Sequence, residues 1–270
     1  LFPFYQGDYR TNISNQFMIG KSTENPFSGT YIGNSWAISN FRYITSNENY
    51  CGLFGYVSNA NIQLVQLENS RISANNESKC GVIAGLALNS SFKEIAVTTE
   101  PDESILSSEL HFLEGSNIAG FIGSIDDTSV IDSYSVIDLN INDMSANNYL
   151  AGGLFLEIKG SSTLKNLFYD GNYSENISVL TKGSLSALEP VISENKSLFI
   201  ENLYFSNNKG FSEICNNSIN CDNYDILKID ASGLNEFYFY DSRNPPLSDW
   251  NPIFWWFVDE NDDPRYPWLE

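Results

Sequence analysis

The sequence predicts an all-β fold, a parallel β-helix (solenoid) of about six coils with an aromatic C-terminal cap, and three observations carry that expectation. The first is a phrase repeated six times: an apolar residue, two spacers, an apolar residue, one spacer, an apolar residue. Its copies are Ile38/Phe41/Tyr43, Ile62/Val65/Leu67, Phe92/Ile95/Val97, Ile131/Tyr134/Val136, Leu164/Leu167/Tyr169 and Ile200/Leu203/Phe205, starting 24, 30, 39, 33 and 36 residues apart by subtraction. A unit of that size buries its apolar face only by stacking on its neighbours. The second is a glycine-punctuated apolar run ahead of the phrase: Gly52-Leu53-Phe54-Gly55, Gly81-Val82-Ile83-Ala84-Gly85, Gly120-Phe121-Ile122-Gly123 and Gly152-Gly153-Leu154-Phe155. Two short β-rich runs per unit, with Gly, Asn, Ser and Asp between them, leave no room for a long helix. The third is that Cys51 and Cys80 each directly precede the glycine run, so they hold equivalent places in successive coils. Parallel strands about 4.8 Å apart bring such residues within reach of a disulfide.

In chain order, residues 1–34 form a leading segment that includes Met18-Ile19-Gly20 and Pro26 to Asn34. Residues 35–210 carry the coils. The longest spacing is explained by a polar insert, Thr98 to Gly115, read as a loop leaving the coil. Residues 211–270 lose the phrase and hold four of the five tryptophans, which suits a cap over the open end of the rod. Cys215 and Cys221 are expected to close a small loop there. An even cysteine count paired in this way points to an oxidising compartment, secreted or at the cell surface. The chain starts at Leu1 with no leader pattern ahead of it and reads as a piece of something longer.

Composition narrows the partners. A formal charge of −20 and a pI near 4.2 would repel nucleic acid and anionic membrane alike. No run of 18 apolar residues is present, so membrane insertion is not expected.

Catalysis is not expected either. His111 is the only histidine, and it has no Cys or carboxylate at ligand spacing beside it. The acids Asp126, Asp127, Asp132, Asp138 and Asp143 cluster near one unit, as in carbohydrate-active β-helix enzymes, but no Lys or Arg lies between His111 and Lys159 to assist them. Solvated surface acids are the favoured reading. No cofactor is expected. The calcium candidate is Asp259, Asn261 and Asp263, which opens like an EF-hand loop but meets Pro264 where the glycine should stand. The cluster Trp250, Trp255, Trp256 and Trp268 suits either an end cap or a sugar-stacking platform. Asn40, Asn166 and Asn202 precede the middle apolar residue in three units and are expected to form a partial amide ladder.

The run Met18-Ile19-Gly20, Pro26-Phe27-Ser28-Gly29-Thr30-Tyr31, Gly33, Ile38-Ser39-Asn40-Phe41 and Gly52-Leu53-Phe54-Gly55 resembles the GLUG-repeat modules of bacterial surface proteins. Similar modules occur in filamentous-haemagglutinin-like adhesins and upstream of some immunoglobulin A-cleaving metalloproteases. The tail Trp256-Phe257-Val258-Asp259 with Tyr266-Pro267-Trp268-Leu269 is similar to the closing signature of such modules. The resemblance implies a right-handed β-helix, in keeping with the general preference for right-handed parallel crossovers, and surface exposure.

The functional expectation is an adhesin module that binds a host-surface or extracellular-matrix glycan or protein through a coil face or its loops. Candidate ligand residues are Glu100, Asp102, Glu103 and His111 in the insert, and Trp250, Trp255 and Trp268 in the tail. A carbohydrate-active enzyme and a passive stalk are the alternatives.

Overall fold

The computed structural model describes residues 18–44, 48–73, 78–98, 112–114, 117–141, 150–171, 173–175, 184–188, 198–206, 226–229, 238–257 and 267–269. Among the described residues the chain is an all-β parallel solenoid with almost no helix. Its strands fall on three faces, one more per coil than the two runs expected. The long face stacks Thr30–Ile32, Asn61–Glu68, Ser91–Thr98, Ser129–Ser135, Thr163–Tyr169, Phe199–Ser206 and Ile226–Ile229 in parallel, with Ala37–Ser39 also on Asn61–Glu68. The glycine face is split into a first half, Tyr50–Cys51, Lys79–Gly81 and Asn117–Ala119, and a second half, Phe54–Ser58, Ala84–Leu88 and Ile122–Asp126. The strand Leu150–Lys159 spans both halves and pairs onward with Ser184–Leu188. The short face holds Arg42–Ile44, Arg71–Ser73, Phe112–Glu114, Asp138–Ile141 and Tyr173–Glu175. These segments are only three or four residues long, too brief to leave a periodic signal, which is why they were not legible. Phe112–Glu114 also takes the end of the expected insert back into the stack. Pairing reaches from Ile19 to Ile229, past both edges of the 35–210 stretch.

The spacing inside the phrase has a backbone cause. A strand alternates faces, so residues three apart should point to opposite sides. Here Leu64, Glu94, Asp132, Asn166 and Asn202 each adopt left-handed φ values of 53°, 57°, 50°, 54° and 54° just before the middle apolar position. That kink adds one residue to the run and turns both Ile62 and Val65 inward, where they are buried. The stacked rows Ile62/Phe92/Val130/Leu164/Ile200 and Val65/Ile95, with Leu167/Leu203 in the later coils, belong to one continuous core.

Two copies of the phrase are out of phase. In the fourth, Val130 rather than Ile131 stacks on Phe92 and Leu164, so Ser133 and Ser135 take the slots expected for Tyr134 and Val136. The core accepts them because Ser133 Oγ receives the Ile95 N–H (3.1 Å) and Ser135 Oγ donates to Gly120 O (2.6 Å). A one-residue shift sends Tyr134 to the outside. In the first, Tyr31 pairs with Ile62, Ile38 pairs with Leu67, and Tyr43 belongs to the short face opposite Ile72.

The cysteine register holds. Cys51 and Cys80 pair directly, are fully buried and form a disulfide with a Cα–Cα distance of 4.6 Å. Glycine is needed where coils approach most closely: a Cβ on Gly123 would stand 2.5 Å from Gly85 O, a backbone atom that cannot swing away.

The described part of the C-terminal aromatic region does not close an end of the rod; it lies along the flank of the long face. The register places Ala96, Tyr134, Phe168 and Tyr204 at matched positions, and all four belong to a second apolar cluster with Phe239, Leu247, Trp250, Trp255 and Leu269. Tyr134 and Phe168 stack at 4.6 Å and 5°, and Phe239 continues the stack on Phe168 at 4.6 Å and 7°. Polar anchors run the length of this strap: Leu269 N–H to Gln66 Oε1 (3.0 Å), Tyr134 Oη to Pro267 O (2.6 Å), Trp250 Nε1 to Asn166 O (3.0 Å) and Asn202 Nδ2 to Asp249 Oδ2 (3.0 Å). An exposed row of rings on a sheet face must be covered, and the covering segment has to follow the row.

Candidate functional site

Two polar constellations lie on the outer surface, and both are products of coil register. The first follows the corner where the glycine face turns into the long face. Asn59, Asn89, Asp127 and Gly160 make that turn with φ values of 53°, 46°, 48° and 66°, a conformation that Asn, Asp and Gly tolerate best. Ala60, Ser90 and Thr128, which come next, and Ser162, one residue further on, are buried and build a hydroxyl ladder. Ala60 N–H donates to Ser90 Oγ (3.2 Å), Ser90 N–H to Thr128 Oγ1 (3.4 Å) and Thr128 N–H to Ser162 Oγ (3.2 Å). Each hydroxyl in turn donates to a carbonyl of its own coil, Leu88 O, Asp126 O and Lys159 O.

With those groups satisfied inside, the side chains beyond them face outward. Thr30, Asn61, Ser91, Ser129 and Thr163 pair in register, one per coil, and with the corner residues they line an open trough of about 640 Å³. Four steps of about 4.8 Å make this column about 19 Å long. The next residue in the same column is Phe199, 52% exposed. Inside the trough Asn61 Oδ1 accepts from Gln63 Nε2 (2.9 Å), and Asp127 Oδ1 accepts the Ser161 N–H (2.7 Å). The trough is thus rich in amides and hydroxyls, able to donate and to accept, with Asp127 as the carboxylate among its lining residues.

The second constellation sits on the glycine face, where its two halves meet. Glu157 is 7% exposed; its Oε1 is 2.6 Å from Lys79 Nζ, and its Oε2 is 2.8 Å from Lys159 Nζ and 3.0 Å from Ser124 Oγ. Burial pushes its pKa up, but hydrogen bonds and charge from Lys159 and Lys79 outweigh that and bring it down to about 2. A carboxylate held ionised in this way is a poor proton donor, and its three partners come from three coils. Asp126 pairs in register with Lys159, so further negative charge adjoins the cluster. The arrangement is a cross-coil staple.

The acids near the fourth unit are dispersed. Asp126 ends a glycine-face strand, Asp127 makes the corner, Asp132 is buried on the long face and Asp138 opens a short-face strand, so these four carboxylates stand on different parts of the coil. Asp132 accepts from Asn166 Nδ2 (2.8 Å), and Asn202 Nδ2 donates to Asn166 Oδ1 (3.0 Å), so the side-chain ladder includes Asp132, Asn166 and Asn202. Asn40 stands outside it; its N–H donates to Glu68 O (2.9 Å), one turn farther along the coil.

Of the candidate ligand residues, Trp250 and Trp255 are 3% and 2% exposed between the strap and the long face, so neither offers a ring face to a sugar. Their rings are taken up by the flank row instead, with centroids 4.4 Å apart. Trp268 lies in a two-residue strand with Trp255–Trp256. Glu100, Asp102, Glu103, His111, Asp143, Cys215, Cys221, Asp259, Asn261 and Asp263 lie outside the described residues. Among the described residues no three Asp, Glu, His or Cys side chains gather as metal ligands, and no helix is long and apolar enough to cross a membrane. The trough was legible in principle: Asn59-Ala60-Asn61, Asn89-Ser90-Ser91 and Asp127-Thr128-Ser129 form a recurring polar triplet between the two apolar runs. The Glu157 cluster was not, since Lys79 and Glu157 are 78 residues apart.

Comparison of the chain with protein-family models, with curated proteins and with solved structures gave no match.

Proposed function

We propose that this chain is a secreted or surface-exposed adhesin module, a right-handed parallel β-helix of about six coils that binds a host or matrix ligand without chemistry. The observation that supports this reading most is the corner trough, a straight, outward-facing line of Asn, Ser and Thr on a rigid backbone. Such a surface suits an extended ligand rich in hydroxyls or amides, a glycan chain or a peptide laid along the rod. The buried Cys51–Cys80 disulfide is in keeping with an oxidising exterior. The motif resemblance to GLUG-repeat modules of bacterial surface proteins supports the same reading. A passive stalk is the second reading, favoured by the strap that ties strands from Asn61–Glu68 to Phe199–Ser206 into one stiff unit.

The test is binding of the oxidised chain to a broad glycan array and to intact host cells. The comparison is Ser129→Tyr, which obstructs the trough one coil beyond its middle. Selective binding that Ser129→Tyr abolishes supports the adhesin reading. A folded protein that binds nothing on either surface leaves only the stalk.

A further inference from the structure

The corner of the solenoid carries two sets of hydroxyls, and the fold uses one of them. Ser90, Thr128 and Ser162 are buried, and each accepts an N–H from the coil before it and donates to a carbonyl. One residue further on, Ser91, Ser129 and Thr163 are half-buried, and Thr30 is exposed on the first coil. Among the described residues the side-chain hydroxyls of these four make no hydrogen bond. Asn61, on the coil between Thr30 and Ser91, uses its Oδ1 on Gln63 Nε2 (2.9 Å). Each of the four hydroxyls keeps one donor and two acceptor positions for a partner outside the fold. A solvated hydroxyl is ordinary, but a line of them at a fixed repeat is not.

The repeat selects what can follow it. Thr30, Asn61, Ser91, Ser129 and Thr163 pair in register, so their polar groups recur every ~4.8 Å along the rod. An extended peptide presents like groups on one side about every 6.7 Å, twice the strand rise of about 3.3–3.4 Å. A polyproline-type peptide repeats about every 9.3 Å, three residues of about 3.1 Å each. Neither stays in step with successive coils. A peptide lying along the rod would also cross strands whose backbone groups are already bonded to the next coil, so it could not bind as an added strand. A β-1,4-linked pyranose chain, extended because both linkages are equatorial, advances by about one coil step per ring. Every ring then brings a hydroxyl edge to every coil.

Charge removes the acidic members of that class. The chain carries −20 and the trough itself includes Asp127. The cations two residues along the same strands, Lys93 and Lys165, are paired with Glu94 (3.0 Å) and Glu201 (2.8 Å). Length is set by the column, which stops where Phe199, 52% exposed, takes the place of the next hydroxyl. We propose that the corner trough binds a neutral β-1,4-linked polysaccharide of the glucan or mannan type lengthwise, one ring per coil from Thr30 to Thr163. This rests on the adhesin reading and narrows it to a ligand class, an orientation and a length of five rings, one for each residue of the column.

The experiment titrates the full oxidised chain calorimetrically with β-1,4-linked gluco- and manno-oligosaccharides of two to six rings. Maltohexaose, whose α-1,4 linkages coil the chain, is the shape control, and a β-1,4-linked mannuronate hexamer is the charge control. Binding to host cells is measured in parallel. The expected result is an affinity that rises with each ring up to five and levels off at six in a neutral series, with both controls weaker by about tenfold or more. Ser91→Ala and Ser129→Ala should each weaken the neutral hexamer about threefold, the loss of one net hydrogen bond. Their outward hydroxyls make no bond within the described fold, so an unchanged thermal midpoint is the folding control. A plateau at two or three rings, or a control hexamer bound as tightly as the neutral ones, would overturn the proposal. Full-strength binding by both alanine variants would do the same. Binding to cells with every neutral glycan inert would overturn it while sparing the adhesin reading, and silence on glycans and cells would sink both.

Discussion

Replacing Glu157 by Gln removes the negative charge bonded directly to both Lys79 and Lys159 while keeping the shape of the side chain. Its pKa falls from an ordinary 4.5 to about 2 in the fold, a difference that corresponds to about 3 kcal/mol at neutral pH. The two ammonium groups are 30% and 36% exposed, so water screens part of that, and about 1–2 kcal/mol is the expected loss. The sign follows from the depressed pKa: the stabilisation is fully present above the unfolded value near 4.5 and disappears as pH falls towards 2. Urea unfolding of wild type and Glu157→Gln at pH 7, 4.5 and 2.5 measures it. The gap in stability should be widest at pH 7 and shrink between pH 4.5 and 2.5. A gap of the same size at pH 7 and pH 2.5 would show that the loss is one of packing, and no gap at pH 7 would show that the staple contributes nothing.

Reduction, or the pair Cys51→Ser/Cys80→Ser, opens a 29-residue loop and should cost about 3–4 kcal/mol by the loop-entropy estimate, seen as a lower thermal midpoint with and without reductant. Trp250→Ala should cost about 3–5 kcal/mol, because it leaves a cavity between Tyr134, Phe168 and Trp255 and strands Asn166 O; near-ultraviolet circular dichroism should lose its aromatic signal before the far-ultraviolet β signal. Asp132→Asn should be neutral or stabilising at pH 7, because burial holds the Asp132 carboxyl above its usual range and an amide keeps the Asn166 bond; thermal midpoints should converge as pH drops and the wild-type carboxyl takes up its proton. Gly123→Ala should cost about 1–3 kcal/mol, since the added methyl meets the backbone of Gly85, and chemical denaturation is the measurement.

What the sequence determined by itself was the stack. The phrase Ile62/Val65/Leu67, its neighbour Phe92/Ile95/Val97 and the placement of Cys51 and Cys80 before their glycine runs specify coil length and register, because inward positions in parallel coils must be apolar at matching places. Identical spacing fails where the backbone rather than the side chain decides. The fourth copy keeps the same backbone spacing but begins at Val130 and fills its other inner slots with Ser133 and Ser135, so the apolar triplet Ile131/Tyr134/Val136 is out of phase and Tyr134 turns out where Val130 turns in. Only the tertiary structure could then show what that displacement produced: a row of outward rings, and a tail along the flank that buries Trp250 and Trp255. The same holds for the outer surface. Glu157 meets Lys79 and Ser124 because three coils bring them to one place, and Thr30, Asn61, Ser91, Ser129 and Thr163 become a trough only once coils set them one above another. Local sequence sets which way a residue points within its coil, but neighbours along the rod are separated by 23 or more residues of chain, and the stacking of coils alone makes them adjacent.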